Sequence, residues 1–87
     1  MEPSEKLRIL ACVNATWSIS MSNRRTMLAT WLQQSNINLD QRFMAQDLIG
    51  AIDNGEPFKN VESLVRGLLF RSYVVPPDLV AALIAKK

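Results

Sequence analysis

Hydrophobic residues recur at three- and four-residue steps along most of this chain, which is the spacing of one face of an α-helix. The pattern is clearest at positions 61, 64, 65, 68 and 69, where valine and leucine alternate with polar residues. Asn60 precedes this stretch and is its predicted N-cap. Gly67 lies inside the stretch, and we expect it to allow close packing against another helix. The segment is therefore predicted to be a helix.

The same spacing, together with capping residues, predicts further helices on both sides of this one. The first helix follows Ser4 and runs to about Trp17, and the second runs from a cap at Ser22 or Asn23 to about Gln34. The third runs from a cap at Asp40 to the stop at Asp53-Asn54-Gly55. A short last helix, opened by Pro77 and Asp78, runs from Leu79 to about Lys86. The sequence thus predicts an all-α fold, a compact bundle of four to five short helices in orthogonal or irregular packing, as a single domain over residues 1–87.

The segment after the first predicted helix has a second interpretation, as a strand. Trp17, Ile19 and Met21 alternate with serines, which also fits a short strand. We prefer a loop or helix end there, because no second strand is available to pair with it.

The apolar side of the third helix is assigned to positions 43, 44, 48, 51 and 52, which include Phe43. Phe58 is predicted to enter the core from the turn that follows.

The last predicted helix is apolar on nearly every face, from Leu79 to Ala85. Such a helix is either buried between other helices or docked on a second chain. Because 87 residues leave limited room to surround a helix, we expect docking. The predicted contact residues on this helix are Leu79, Leu83 and Ile84.

A second candidate contact surface lies on the fourth helix, on a face that its core stripe does not use. Arg66, Phe70 and Tyr73 follow one another at steps of four and three residues. Aromatic residues beside arginine are enriched at the centres of protein interfaces. The sequence therefore favours a small non-catalytic protein-interaction module, an adaptor, inhibitor or regulator of a bacterial or phage kind, that binds a protein partner or a second copy of itself.

The alternative is a small dimeric DNA-binding transcriptional regulator. Arg24 and Arg25 begin the second helix, where positive charge opposes the helix dipole, so a phosphate or an acidic surface would explain them. Arg42 would join them, and Gln41 or Gln46 would face bases. Solvated arginines on an exposed turn explain the same residues. The scattered placement of the basic groups also weighs against DNA.

The amino-acid composition excludes several classes of catalytic and metal site. The chain has no histidine and a single cysteine, Cys12, and its formal net charge is +2. Cys/His zinc sites, intrachain disulfides and histidine-containing catalytic triads are therefore excluded. Most carboxylates lie at predicted helix ends, and no glycine-rich phosphate loop is present. We expect no catalytic residues, metal, cofactor or small-molecule substrate.

Localisation follows from the ends of the chain and its longest apolar run. The N-terminal residues lack the pattern of a secretory signal, and the apolar run of the last helix is too short to span a bilayer. We therefore expect a cytoplasmic protein that does not bind membranes.

Overall fold

Five helices make up the structure, a computed structural model that describes residues 1–72 and 74–85. They are α1 (Pro3–Thr16), α2 (Met21–Trp31), α3 (Leu39–Asp53), α4 (Phe58–Phe70) and α5 (Pro77–Ile84). No strand occurs within the described ranges. This confirms the all-α prediction: of the residues that also fitted a strand, Trp17 and Ile19 lie in the turn between α1 and α2, and Met21 begins α2.

The helix starts differ from the predicted ones by a few residues. α2 begins at Met21, and α3 is capped by Asn38, whose side-chain oxygen accepts the backbone N–H of Gln41 at 3.2 Å. Asp40, the predicted cap, lies in the first turn of α3, where a negative charge suits the dipole. Asparagine and aspartate are both favoured N-cap residues, so the sequence pattern does not show which of Asn38 and Asp40 is the cap.

The start of α4 was predicted too late. The helix begins at Phe58, and the predicted cap Asn60 lies in its first turn, where its amide donates to Glu56 at 2.6 Å. The inward placement of Phe58 is confirmed: its ring meets that of Trp17 edge to face, with centroids 5.9 Å apart. The Trp17 indole donates to the Glu56 carbonyl at 2.8 Å, which fixes the α3–α4 turn against the end of α1.

The core lies where the helices pack in pairs, α5 on α2 and α3 on α4, with α1 contacting both α4 and α5. Gly67 has the predicted close-packing role. A Cβ atom at this position would lie 2.7 Å from the sulfur of Met44, so a larger residue here would require the Met44 side chain to move. The largest fully buried apolar side chains are Leu28, Leu48, Leu68, Leu69, Leu79 and Leu83.

The last helix is part of this core. Leu79 and Leu83 are 0% exposed, and Val80 and Ile84 are partly buried. The expectation that Leu79 and Leu83 form a docking surface is therefore wrong, because α2 and α1 of the same chain cover them. Across residues 1–72 and 74–85, no helix has both the length and the apolar character needed to cross a bilayer.

The buried face of α3 is rotated from the predicted one. Phe43 is 56% exposed, whereas Gln41 is buried and donates to the Val74 carbonyl at 3.0 Å. Because Gln41 caps the backbone of the α4–α5 connection, its side of the helix faces inward. Phe43 and Leu39 are thereby turned outward, one helical turn apart.

Candidate functional site

Arg24, expected to contact an anion, is buried within the chain at 0% exposure. Its Nε donates to the Leu83 carbonyl at 2.8 Å, its Nη1 to the Trp17 carbonyl at 2.9 Å, and its Nη2 to the Thr16 hydroxyl at 3.0 Å. The guanidinium also lies 4.8 Å from the Trp17 ring. This corrects the expectation, because its hydrogen-bonding groups are used inside the fold.

The acceptors of Arg24 explain how the fold accommodates its charge. Thr16 and Trp17 end α1, and Leu83 lies in the last turn of α5. The carbonyls at each helix C-terminus carry about half a negative charge, so two such ends offset roughly one positive charge. Burial lowers the pKa of Arg24 from its ordinary value, since the charged form has lost water. We call this cluster the Arg24 junction.

Arg25 and Arg42 do not extend this cluster into a cationic surface. Arg25 is exposed and donates to the Asp53 carboxylate at 2.6 Å, an ion pair between α2 and the end of α3. Arg42 donates to the carbonyls of Leu32 and Gln34 at 3.0 and 2.9 Å, which ties α3 to the end of α2. All three arginines therefore have internal partners, and they do not form the predicted common anion contact.

A different cationic surface lies at the other end of α1, beside the C-terminal end of α4. A depression of about 430 Å³ there is lined by Met1, Lys6, Phe70, Arg71 and Ser72, which we call the Phe70 surface. Lys6 precedes the buried residues of α1 by four and seven positions, so its side chain is directed toward α4. The Phe70 ring is 39% exposed.

The cations of the Phe70 surface lack partners within residues 1–72 and 74–85. Lys6 is only 9% exposed, and its ammonium lies 5.4 Å from the Phe70 ring centroid. Neither Lys6 nor Arg71 forms an ion pair with a described carboxylate. The C-terminus of α4 supplies about half a negative charge against these two positive charges. This one helix end does not by itself offset both charges.

The predicted contact residues of α4 lie in or near this surface. Phe70 is at its centre, and Arg66 is exposed one turn earlier, where it pairs with Glu62 at 3.0 Å. Tyr73 lies outside the described residues. Ile84 is partly buried at the end of α5, next to the Arg24 junction and thus at the opposite end of α1.

Sequence analysis did not identify Met1 and Lys6 as site residues. A signal was present for Lys6, because it occupies the inward stripe of α1 with Leu10 and Val13. A lysine on a buried face needs an explanation, and here the aromatic ring of Phe70 provides part of it. In the part of the chain that the structure describes, no group of three potential metal ligands comes together.

Comparisons with known proteins do not supply a family for this chain. No family model matches it, and no curated protein or solved structure matches it. Its function is therefore inferred from the geometry of its own residues.

Proposed function

We propose that this chain is a non-catalytic helical protein that binds a partner protein through the Phe70 surface. The observation that carries the proposal is a part-exposed aromatic residue in a depression with two cations that pair with no carboxylate of residues 1–72 and 74–85. Aromatic residues, methionine and arginine are the types enriched at the centres of protein interfaces. The surface combines all three in Phe70, Met1 and Arg71.

This proposal keeps the interaction role expected from the sequence and moves its location. The apolar contact residues Leu79 and Leu83 support the fold, so they are not available to a partner. Phe70 and Arg66 are exposed on α4 and retain their proposed contact role. The partner-binding surface therefore centres on the end of α4 and the beginning of α1.

The geometry does not favour the alternative of a DNA-binding regulator. That alternative requires Arg24, Arg25 and Arg42 to face phosphates together. Arg24 is enclosed in the core, and Arg25 is paired with a carboxylate. Phosphate contacts provide most of the affinity of non-specific DNA binding, and these side chains do not offer a continuous basic surface for them.

The test compares two exposed phenylalanines on different faces of the molecule. Phe70→Ala removes the ring from the Phe70 surface, whereas Phe43→Ala removes a more exposed phenylalanine ring from α3. A partner captured from the source cells is purified, and its affinity for each variant is measured by calorimetry. We expect Phe70→Ala to weaken binding about 30-fold or more, as for an interface hot spot, and Phe43→Ala to leave it within about threefold.

The natural chain is also run by light scattering at two concentrations, because the partner could be a second copy. A dimer that Phe70→Ala dissociates and Phe43→Ala preserves would support the same surface. Equal affinities of the two variants for every partner, together with a monomer that neither variant changes, would contradict the proposal.

A further inference from the structure

We infer that the Phe70 surface recognises an acidic segment of its partner, with a carboxylate held between Lys6 and Arg71 and an adjacent apolar side chain resting on Phe70. This inference rests on the proposed function and specifies the partner's chemistry. Its basis is the placement of two cations without described partners around an apolar ring in one depression.

No described carboxylate pairs with the cations of this surface, although Asp40 lines a neighbouring depression together with Arg71. Glu2 and Glu5 lie in the same part of α1 as Lys6, but neither comes within ion-pair distance of Lys6 or Arg71. Arg66, one turn before Phe70, already forms an ion pair with the Glu62 carboxylate. Lys6 and Arg71 are therefore the cations that a ligand on this surface would meet.

The two cations differ in how they bind oxygen. Arg71 is exposed, and its guanidinium presents a planar set of N–H donors that matches both oxygens of a carboxylate. Lys6 supplies a point charge whose stem is held by packing, so little side-chain freedom remains to be lost on binding. Because Lys6 is nearly enclosed, water and salt screen its charge less than on an open surface.

The apolar side of the depression favours a protein segment as the source of the anion. Met1 is about half exposed, and Phe70 presents part of its ring next to the cations. A side chain such as leucine beside the acidic residue would bury both. The volume of about 430 Å³ lies within the range of small ligand sites, which matches one or two side chains.

The experiment uses the full chain and two blocked tetrapeptides, acetyl-Glu-Leu-Leu-Glu-amide and acetyl-Gln-Leu-Leu-Gln-amide, followed by amide NMR at constant ionic strength. We expect the Glu peptide to bind with a dissociation constant on the order of 1 mM and to shift the amides of Lys6, Phe70 and Arg71. The Gln peptide should bind about tenfold more weakly, because charge-assisted hydrogen bonds are lost.

Three variants sharpen the result. Lys6→Met and Arg71→Met should each reduce the preference for the Glu peptide to about threefold or less. Arg8→Met is the matched control, since Arg8 is an exposed cation on α1 that does not line the depression, and it should keep the preference. Because Arg71 is exposed, its variant folds even if the Lys6 variant does not.

Two outcomes would overturn the inference. One is equal binding of the Glu and Gln peptides to the natural chain. The other is saturation of the same amides by inorganic phosphate at a concentration about tenfold below that of the Glu peptide, which would assign the depression to phosphate groups. Failure of the proposed function is separable, because Phe70→Ala would then leave partner affinity unchanged while the peptides still discriminated charge.

Discussion

The two ends of α1 each hold a nearly enclosed cation, and the two cations are treated in opposite ways. At the C-terminal end, Arg24 donates to backbone carbonyls of two helices and to a hydroxyl. At the N-terminal end, Lys6 contacts an aromatic ring and has no described hydrogen-bond acceptor. Burial alone therefore does not distinguish the two cations; their hydrogen-bond acceptors do.

The difference arises from what each end of α1 faces. The Arg24 junction gathers the C-termini of α1 and α5, so it contains an excess of carbonyl acceptors. The Phe70 surface gathers the beginning of α1 and a single helix C-terminus, that of α4. One end thus offers its cation several acceptors, whereas at the other end no described carboxylate pairs with Lys6 or Arg71.

The largest expected loss of stability is for a substitution in α5, the helix whose last turn accepts a hydrogen bond from Arg24. Leu79→Asp places a carboxylate at a position with 0% exposure and removes core packing. We expect a loss of about 5 kcal/mol or more, which is enough to unfold many domains of this size. Circular dichroism and urea titration measure it. Leu39→Asp at an exposed position is the control and should change stability by less than about 0.5 kcal/mol; a folded Leu79→Asp chain would contradict the core assignment of α5.

The second prediction compares the substitution by methionine of the two cations, Arg24 and Lys6. Arg24→Met leaves several buried carbonyls without donors, and we expect the free energy of unfolding to fall by about 3 kcal/mol. Lys6→Met exchanges one contact with the Phe70 ring for another and removes an unpaired charge, so we expect a change within about 1 kcal/mol. Urea denaturation of the two variants measures both values. Similar losses would mean that the two ends of α1 do not differ as described.

The smallest effect concerns a third arrangement, the exposed pair of Arg25 and Asp53. The hydrogen bond from Arg25 holds the pKa of Asp53 below its usual range. A carboxyl with a depressed pKa in the folded state contributes stability above its unfolded pKa and loses it as the pH falls through the folded pKa. Asp53→Asn should therefore lower the urea midpoint slightly near pH 7, and the difference should disappear as the pH falls through the folded pKa of Asp53. High salt should reduce the difference, and an effect that grew as the pH fell would refute the assignment.

The sequence predicted the helical fold well because its strongest signals are local. The stripe of α4 and the stop at Gly55 depend on neighbours within a few residues. The cap of α3 was misplaced because Asn38 and Asp40 satisfy the same rule, and that of α4 because its N-cap is Pro57, which has no side-chain capping group. Such short-range choices are decided by side-chain geometry rather than by residue type.

The contact residues were harder to predict, because they depend on packing between distant segments. The observation that Arg24 opposes the dipole of its own helix was sound, but the negative partner is the end of α5, 59 residues away, rather than a ligand. The apolar character of α5 gave no indication that α2 would cover Leu79 and Leu83. Lys6 and Phe70 likewise meet only once α1 lies along α4.

The placement of Met1 against the depression has a practical consequence for anyone who labels or immobilises this protein. An affinity tag or fluorophore attached ahead of Met1 would emerge beside Phe70 and could mask the cations there. The other end of the described chain is tied to the far end of α1, where Asn23 holds the Ala85 carbonyl at 2.8 Å. α1 has 14 residues and a length of roughly 21 Å, so a label placed near Asn23 or Ala85 would lie well away from the depression.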